Sequence, residues 1–362
     1  LFFLKQYHRN KKKVKKGKGK INRNILKIKL KLQDLIQIGG FNAYFKSNIQ
    51  EYGIRINYKP LTFNQIDDEL KGLNLQFKMS NSNNILSAFI AKIIEYGTYK
   101  ILDQHIYFNE IINKCHQLSE SNNWNFTEIN VINNSTRNID GVYAIMEHLD
   151  GGDLYSRIED MIEYKLKFKL SDIFYILKQL LIIIDEMEKM NYFHLDIKPE
   201  NILFIYKNKY DLKLIDFSFS KKFEKNQNWA SSPINQRTIY TPPEFLSKKL
   251  YHKNSDIWCI GIIISVMIYL NKLPDELFKF NVNGYGYHID GAKLNDFLHE
   301  IILTNDKCYD LLDKKYLLKL NQNILKNMLK DVTFQKNARW DATSCLNNLI
   351  KVEKMYLKET KI

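Results

Sequence analysis

His194-Leu195-Asp196-Ile197-Lys198-Pro199-Glu200-Asn201 carries more information than any other stretch of this 362-residue chain. It places a carboxylate, an ammonium two residues on and a carboxamide five residues on in one short segment. The apolar run Ile202-Leu-Phe-Ile205 follows at once, as a buried strand does. A polar turn, Lys207-Asn-Lys-Tyr-Asp211, leads to a second apolar run that ends on Asp216-Phe217-Ser218. Further along stand Thr241-Pro-Pro243-Glu244-Phe245, Ser255-Asp256-Ile-Trp258-Cys-Ile-Gly261 and Asn337-Ala-Arg339-Trp340. Upstream stands Ala144-Ile-Met146-Glu147-His148-Leu149-Asp150-Gly-Gly-Asp153-Leu154. Each string alone has a bland reading, such as a turn or a helix start. Their fixed order over residues 143–340 does not.

Together the strings resemble the eukaryotic protein kinase family, whose catalytic loop reads H-R-D-L-x-x-x-N. Lys198 points to its Ser/Thr branch. The resemblance implies that Asp196 is the catalytic base, that Lys198 stabilises the moving phosphoryl group, and that Asn201 and Asp216 hold magnesium. Both offer hard oxygen ligands, which suit Mg2+. It further implies that Met146 is the gatekeeper, that Glu147 and Leu149 offer backbone groups to adenine, and that Asp153 bonds the ribose. Glu244 and Arg339 correspond to a buried structural ion pair, and Asp256 to the residue that holds the catalytic-loop backbone. Four positions depart from the pattern: Leu195 replaces the loop arginine, Ser218 the glycine of D-F-G, Pro242 the alanine of A-P-E, and Thr238 stands one place off the usual G-T-x-x-Y. A leucine cannot clamp a phosphate, so activity is expected not to depend strongly on phosphorylation of residues 219–241.

The N-terminal third is less explicit. Leu26, Ile28, Leu30 and Leu32 alternate with lysines, which predicts a half-buried strand. Ile36-Gln37-Ile38-Gly39-Gly40-Phe41-Asn42-Ala43-Tyr44-Phe45 resembles the glycine-rich phosphate loop, with Gly39 as the central glycine, Gly40 beside it, and Gln37 and Asn42 in place of the outer ones. Ile54, Ile56 and Tyr58 form the apolar face of a further strand, so Lys59 faces the other way and is expected to reach the phosphates. Thr62 and Gln65 form a capping box that opens a helix carrying Glu69. Either Glu69 or Glu110, in a second helix over 108–118, is the candidate partner of that lysine. Residues 60–141 exceed what the family needs and imply an insertion, with loops at 80–84 and 119–123.

The net charge of +14 belongs to a tail: residues 1–33 hold 13 Lys and Arg and no acid, leaving about +1 for the rest. Such a run suits a solvated arm, nuclear import machinery, nucleic acid or anionic lipid. The longest apolar run, Ile257–Leu270, is shorter than the roughly 20 residues of a membrane span and suits a buried helix. The four cysteines, Cys115, Cys259, Cys308 and Cys345, form no C-x-x-C pair, which fits a reducing compartment.

The expectation is an α+β bilobal fold. A basic tail (1–25) precedes a small antiparallel β-sheet lobe (26–149) and a larger helical lobe (150–355), with ATP and Mg2+ between the lobes. A Ser/Thr protein kinase, cytoplasmic or nuclear, is the first reading. A pseudokinase and a small-molecule kinase of related fold are the alternatives.

Overall fold

The computed structural model describes residues 32–38, 42–47, 51–57, 61–99, 141–231, 238–271, 273–280, 287–304, 309–333 and 338–360. Strands β1 (Leu32–Ile38), β2 (Asn42–Ser47), β3 (Tyr52–Asn57), β4 (Ile93–Tyr99) and β5 (Gly141–Glu147) form one antiparallel sheet in the order β1-β2-β3-β5-β4. The expected strand over 26–32 meets the described chain only at Leu32, where β1 begins. Tail, phosphate-loop glycines Gly39 and Gly40, Lys59, and the segment 100–140 with Glu110 lie outside the described residues.

Helix α1 (Phe63–Ser80) crosses the sheet. Its capping box forms as expected: Thr62 Oγ1 accepts from Gln65 N at 3.3 Å, and Gln65 Oε1 accepts from Thr62 N at 2.8 Å. Ile66 and Leu73 bury its inner face against Ala144 and Met146 of β5. The turn at 81–84 and the short helix at 85–88 lead from α1 to β4, and Leu86 and Ile90 of this connection pack into the core of the helical lobe. Asn81 fastens the turn, donating to Phe77 O at 2.9 Å and Ile93 O at 3.0 Å.

The rest is mainly helical. Helix α2 (Leu154–Glu163) starts at Asp153, whose carboxylate accepts from Ser156 N at 2.7 Å. Helix α3 (Leu170–Lys189) has apolar residues at helical spacing (Ile173, Ile176, Leu177, Leu180, Leu181, Ile184, Met187) and buries them. It delivers the chain to the 194–201 loop and to the hairpin β6 (Ile202–Phe204) and β7 (Leu212–Leu214). After the short helix α4 (Pro243–Lys248) comes α5 (Ser255–Tyr269), buried from Ser255 through Ile268. A helix apolar all round can only be a core element or a membrane span. This one is core, packed against α3 and α6 (Gly291–Thr304). Helices α7 (Leu311–Leu320) and α8 (Ala342–Glu359) close the far side, α8 against α3. No helix among the described residues is long and apolar enough to cross a membrane.

Candidate active site

The loop at 194–201 is built from below. Asp256, at the start of α5, accepts from the backbone N–H of His194 and of Leu195, each at 2.8 Å. Burial pushes the Asp256 carboxyl up to about 6, and those two N–H groups oppose the shift. Leu195 takes φ 64° and Asp216 takes φ 63°, a left-handed backbone that non-glycine residues adopt only when their surroundings hold them. His194 is fully buried and kept neutral, its pKa lowered to about 4 by burial. Its Nε2 lies 3.1 Å from Ile215 O, and its Nδ1 accepts from Asp196 N at 3.3 Å. Its ring stands edge-on to Phe217, with centroids 4.8 Å apart. One imidazole thus ties the loop to the segment that bears Asp216.

Above this base the polar groups converge. Lys198 Nζ lies 2.9 Å from Asp196 Oδ2. Asn201 Nδ2 donates to Asp196 O at 2.8 Å and to Asp196 Oδ2 at 3.0 Å, which leaves the Asn201 carbonyl oxygen for a cation. Burial lifts Asp196 to about 7; Lys198 pulls it down and Asp216 pushes it up. Lys198 feels both carboxylates, so Asp196 and Asp216 face one cleft. Among the described residues no cluster of three His, Cys, Asp or Glu side chains could hold a metal alone. The Asp216 carboxylate and the Asn201 carboxamide are hard oxygen donors, which suit a Mg2+ that keeps water and phosphate oxygens.

The cation that completes the cleft is one that sequence reading passed over. Arg55 Nη2 lies 2.9 Å from Glu69 Oε2 and 3.7 Å from Asp216 Oδ1. Burial opposes ionisation of Asp216, yet Arg55 and the Ser218 hydroxyl hold its carboxyl below the usual range. Of the two candidate helix glutamates, Glu69 is thus the one seen on a strand cation, and that cation is Arg55. The clue was the string Gly53-Ile54-Arg55, which keeps the small–apolar–basic order of V-A-I-K with arginine for lysine. Arg55 has the same strand parity as Lys59, which lies outside the described residues. Asn57, at the end of β3, is buried and structural: it bonds Asn42 of β2 and accepts from Val142 N of β5 at 3.0 Å.

Ser218 differs from the glycine that the family pattern has there. Its Oγ donates to Asp216 Oδ1 at 2.6 Å, and it also interacts with Glu69. At the connection between lobes, Met146 and Leu149 are buried, and the Glu147 carboxylate is taken by Lys213 and by Lys92 N at 2.6 Å. The Glu147 N–H is also taken, by Lys92 O at 2.9 Å, so the Glu147 carbonyl and the Leu149 backbone remain for a ligand. Lower down, Arg339 grips Glu244 through Nη1–Oε1 at 2.8 Å and Nη2–Oε2 at 2.9 Å, with both side chains fully buried. Burial opposes the charge on Glu244, but Arg339 holds the carboxyl below its ordinary range.

Comparison with known proteins agrees with this geometry. The protein kinase domain family matches residues 81–344. MAP kinase-activated protein kinase 2 from Oryctolagus cuniculus is 35% identical over 125 residues, covering 34% of this chain and 33% of that protein. Its counterpart from Homo sapiens is 34% identical over 125 residues, covering 34% of this chain and 30% of that protein. The chain spans about a third of the length of the curated relatives it matches. The family match runs from the turn after α1 to the start of α8 and takes in every catalytic-loop element described above, so this chain belongs to the protein kinase family.

Proposed function

We propose that this chain is an ATP-dependent protein kinase that transfers the γ-phosphate to Ser or Thr hydroxyls of protein substrates. One observation carries the reading: Asp196, Lys198 and Asn201 are mutually hydrogen-bonded, with Asp216 beside them and Arg55 behind. Phosphoryl transfer asks a protein chiefly for positioning and charge neutralisation. Asp196 orients the acceptor hydroxyl and takes its proton. Lys198 stands beside that carboxylate and offsets the charge of the transferring group. Asn201 and Asp216 are the oxygen donors that would hold Mg2+, which when bound neutralises phosphate charge. Arg55 reaches Asp216 from the sheet side and is positioned to meet the phosphates there; Lys59, the sequence candidate for that role, lies outside the described residues.

The test is an ATP/Mg assay on a peptide library. Asp196→Asn and Asp216→Ala are each expected to abolish transfer, and turnover surviving both would sink the reading. Arg55→Ala is expected to raise the KM for ATP by about tenfold, the scale of one lost charged hydrogen bond, and by more than Lys59→Ala does. The basic run at 11–20 is read as a solvated arm, with import machinery, nucleic acid and anionic lipid as the alternative contacts. A fluorescent fusion lacking residues 1–25 that distributes differently from the whole chain would overturn the solvated-arm reading.

A further inference from the structure

At the foot of the catalytic loop lies a cavity of about 460 Å³, within the range of small-ligand sites, that the chemistry above does not use. Asn191 and Phe193, which lead into His194, line one side, and Asn254, two residues ahead of the Asp256 anchor, lines another. Three carboxylates border it: Glu188 in the last turn of α3, Asp341 at the start of α8, and Glu224 beyond the Asp216 segment. Asp341 is spent on capping α8, its Oδ1 accepting from Ser344 N at 2.8 Å. Glu188 is less well served. Its Oε1 is buried and has no hydrogen-bond partner among the described residues. The carboxamide oxygen of Asn254 is equally orphaned. That side chain is only 5% exposed, and its Nδ2 alone is used, donating to Arg339 O at 2.9 Å. Burial pushes the Glu188 carboxyl up to about 8; Asp341, Asp256 and Asp185 push it the same way, and a bond from the Ala342 backbone opposes them. Lys253, the only lining cation among the described residues, is itself exposed to solvent. A buried acceptor without a donor is costly, so two such oxygens in the walls of one cavity call for a ligand that donates.

We propose that this cavity binds an organic cation, an ammonium or guanidinium group that donates to Glu188 and Asn254. The lining disfavours the other ligand classes. An anion would meet three carboxylates. A metal ion needs clustered ligands, and among the described residues no three His, Cys, Asp or Glu side chains are placed to share one. A guanidinium presents several N–H donors in one plane, enough for both orphaned oxygens at once. Its face suits the rings of Phe193 and Phe223, which line the cavity with centroids 4.4 Å apart. None of the cleft residues Asp196, Lys198, Asn201 and Asp216 lines this cavity, so its occupant and a nucleotide bind together. Carboxylates that merely held the fold would affect stability and leave cation affinity alone.

Calorimetric titration of the full chain with argininamide, with spermidine and with a glycine peptide bearing one arginine tests the site. Citrullinamide, which has the shape of argininamide without its charge, is expected to bind at least about tenfold more weakly. Glu188→Gln keeps the side-chain shape and is expected to weaken argininamide by about tenfold, the scale of one charge-assisted hydrogen bond. Asp341→Asn keeps a capping residue on α8 while removing a second charge, and is expected to weaken argininamide as well. Should Glu188→Gln fail to fold, Asp341→Asn carries the comparison. Saturating MgATP is expected to leave the affinity unchanged. Equal affinity in wild type, Glu188→Gln and Asp341→Asn would overturn the proposal, since the carboxylates would then be structural only. So would citrullinamide that binds as well as argininamide, displacement of argininamide by MgATP, or a chain that takes up none of the three cations. Displacement by an equal concentration of CaCl2 would overturn it in favour of a metal site. A peptide that binds more tightly than both free cations supports the site with a protein's basic side chain as its source; free cations that bind as tightly support it with a small molecule. A chain that binds argininamide in this way and turns over no ATP leaves the cavity's role standing and refutes the kinase reading alone.

Discussion

Asp196 bears opposing demands. Burial lifts its carboxyl to about 7, and a general base must be ionised to accept a proton. The free enzyme is therefore expected to lose kcat/KM as pH falls through about 7, which a pH–rate profile measures; Lys198→Ala, by removing the charge that pulls Asp196 down, moves that limb to higher pH. The same shift bears on stability. The folded pKa lies above the ordinary value of 3.8, so the fold holds the proton more tightly than the unfolded chain does. That contribution is present at low pH and is lost as pH rises through about 7. Asp196→Asn is accordingly expected to abolish activity and yet raise the melting temperature at pH 8, by about 3 °C for a gain on the order of 1 kcal/mol. An unchanged melt would show that Lys198 and Asn201 fully compensate the charge. Leu195 shows a second economy at this scale. It lies in an apolar cluster with Phe193, Phe223, Phe245 and Tyr251, so van der Waals contact joins the loop to the segment after Asp216. Phosphorylation at Ser231, Thr238 or Thr241 is therefore expected to produce no large activation in a paired assay of phosphorylated and dephosphorylated protein.

Helix α1 is the element on which the cleft depends. Its Gly72 lies so close to the 216–218 segment that a Cβ there would stand 2.6 Å from Ser218 Cα and 2.7 Å from Phe217 C. The neighbours are backbone, which cannot swing aside. Glu69, one turn earlier, reaches Arg55 at 2.9 Å, and the Ser218 hydroxyl lies between the Glu69 and Asp216 carboxylates. Close approach and charge thus fasten the same helix to the same segment. Gly72→Ala is expected to push α1 outward at a cost of about 1–3 kcal/mol, seen as a lower melting temperature together with a raised KM for ATP. Ser218→Gly removes the hydroxyl and restores a flexible backbone. It is expected to speed amide exchange in α1 while leaving the exchange of α5 unchanged. Equal exchange in α1 of both proteins would show that packing at Gly72 suffices by itself.

Across the whole molecule, the buried Glu244–Arg339 pair joins α4 to the segment before α8, and Ser255 Oγ and the Asn254 carbonyl complete its bonds at 2.8 Å and 3.0 Å. Removing one partner leaves an uncompensated charge in the core, so Arg339→Ala is expected to cost about 3–5 kcal/mol in denaturant unfolding. This pair and the Asp256 anchor were expected only because the ordered strings resemble a known family. The 194–201 loop and α5 were legible locally: a loop of eight residues brings its own three polar groups together, and an apolar run such as Ile257–Leu270 suits burial. The site's other half was not legible, because its parts are close only in space. Arg55 meets Glu69 and Asp216 only through strand register and the approach of α1 at Gly72, while Lys59 lies outside the described residues. Tyr44 and Gly53 lie apart along the chain and meet only because β2 pairs with β3. The chain by itself determined which polar groups share the 194–201 loop, since short-range spacing encodes them. The tertiary structure decided that Arg55 meets both Glu69 and Asp216, since that follows from long-range sheet pairing and helix packing.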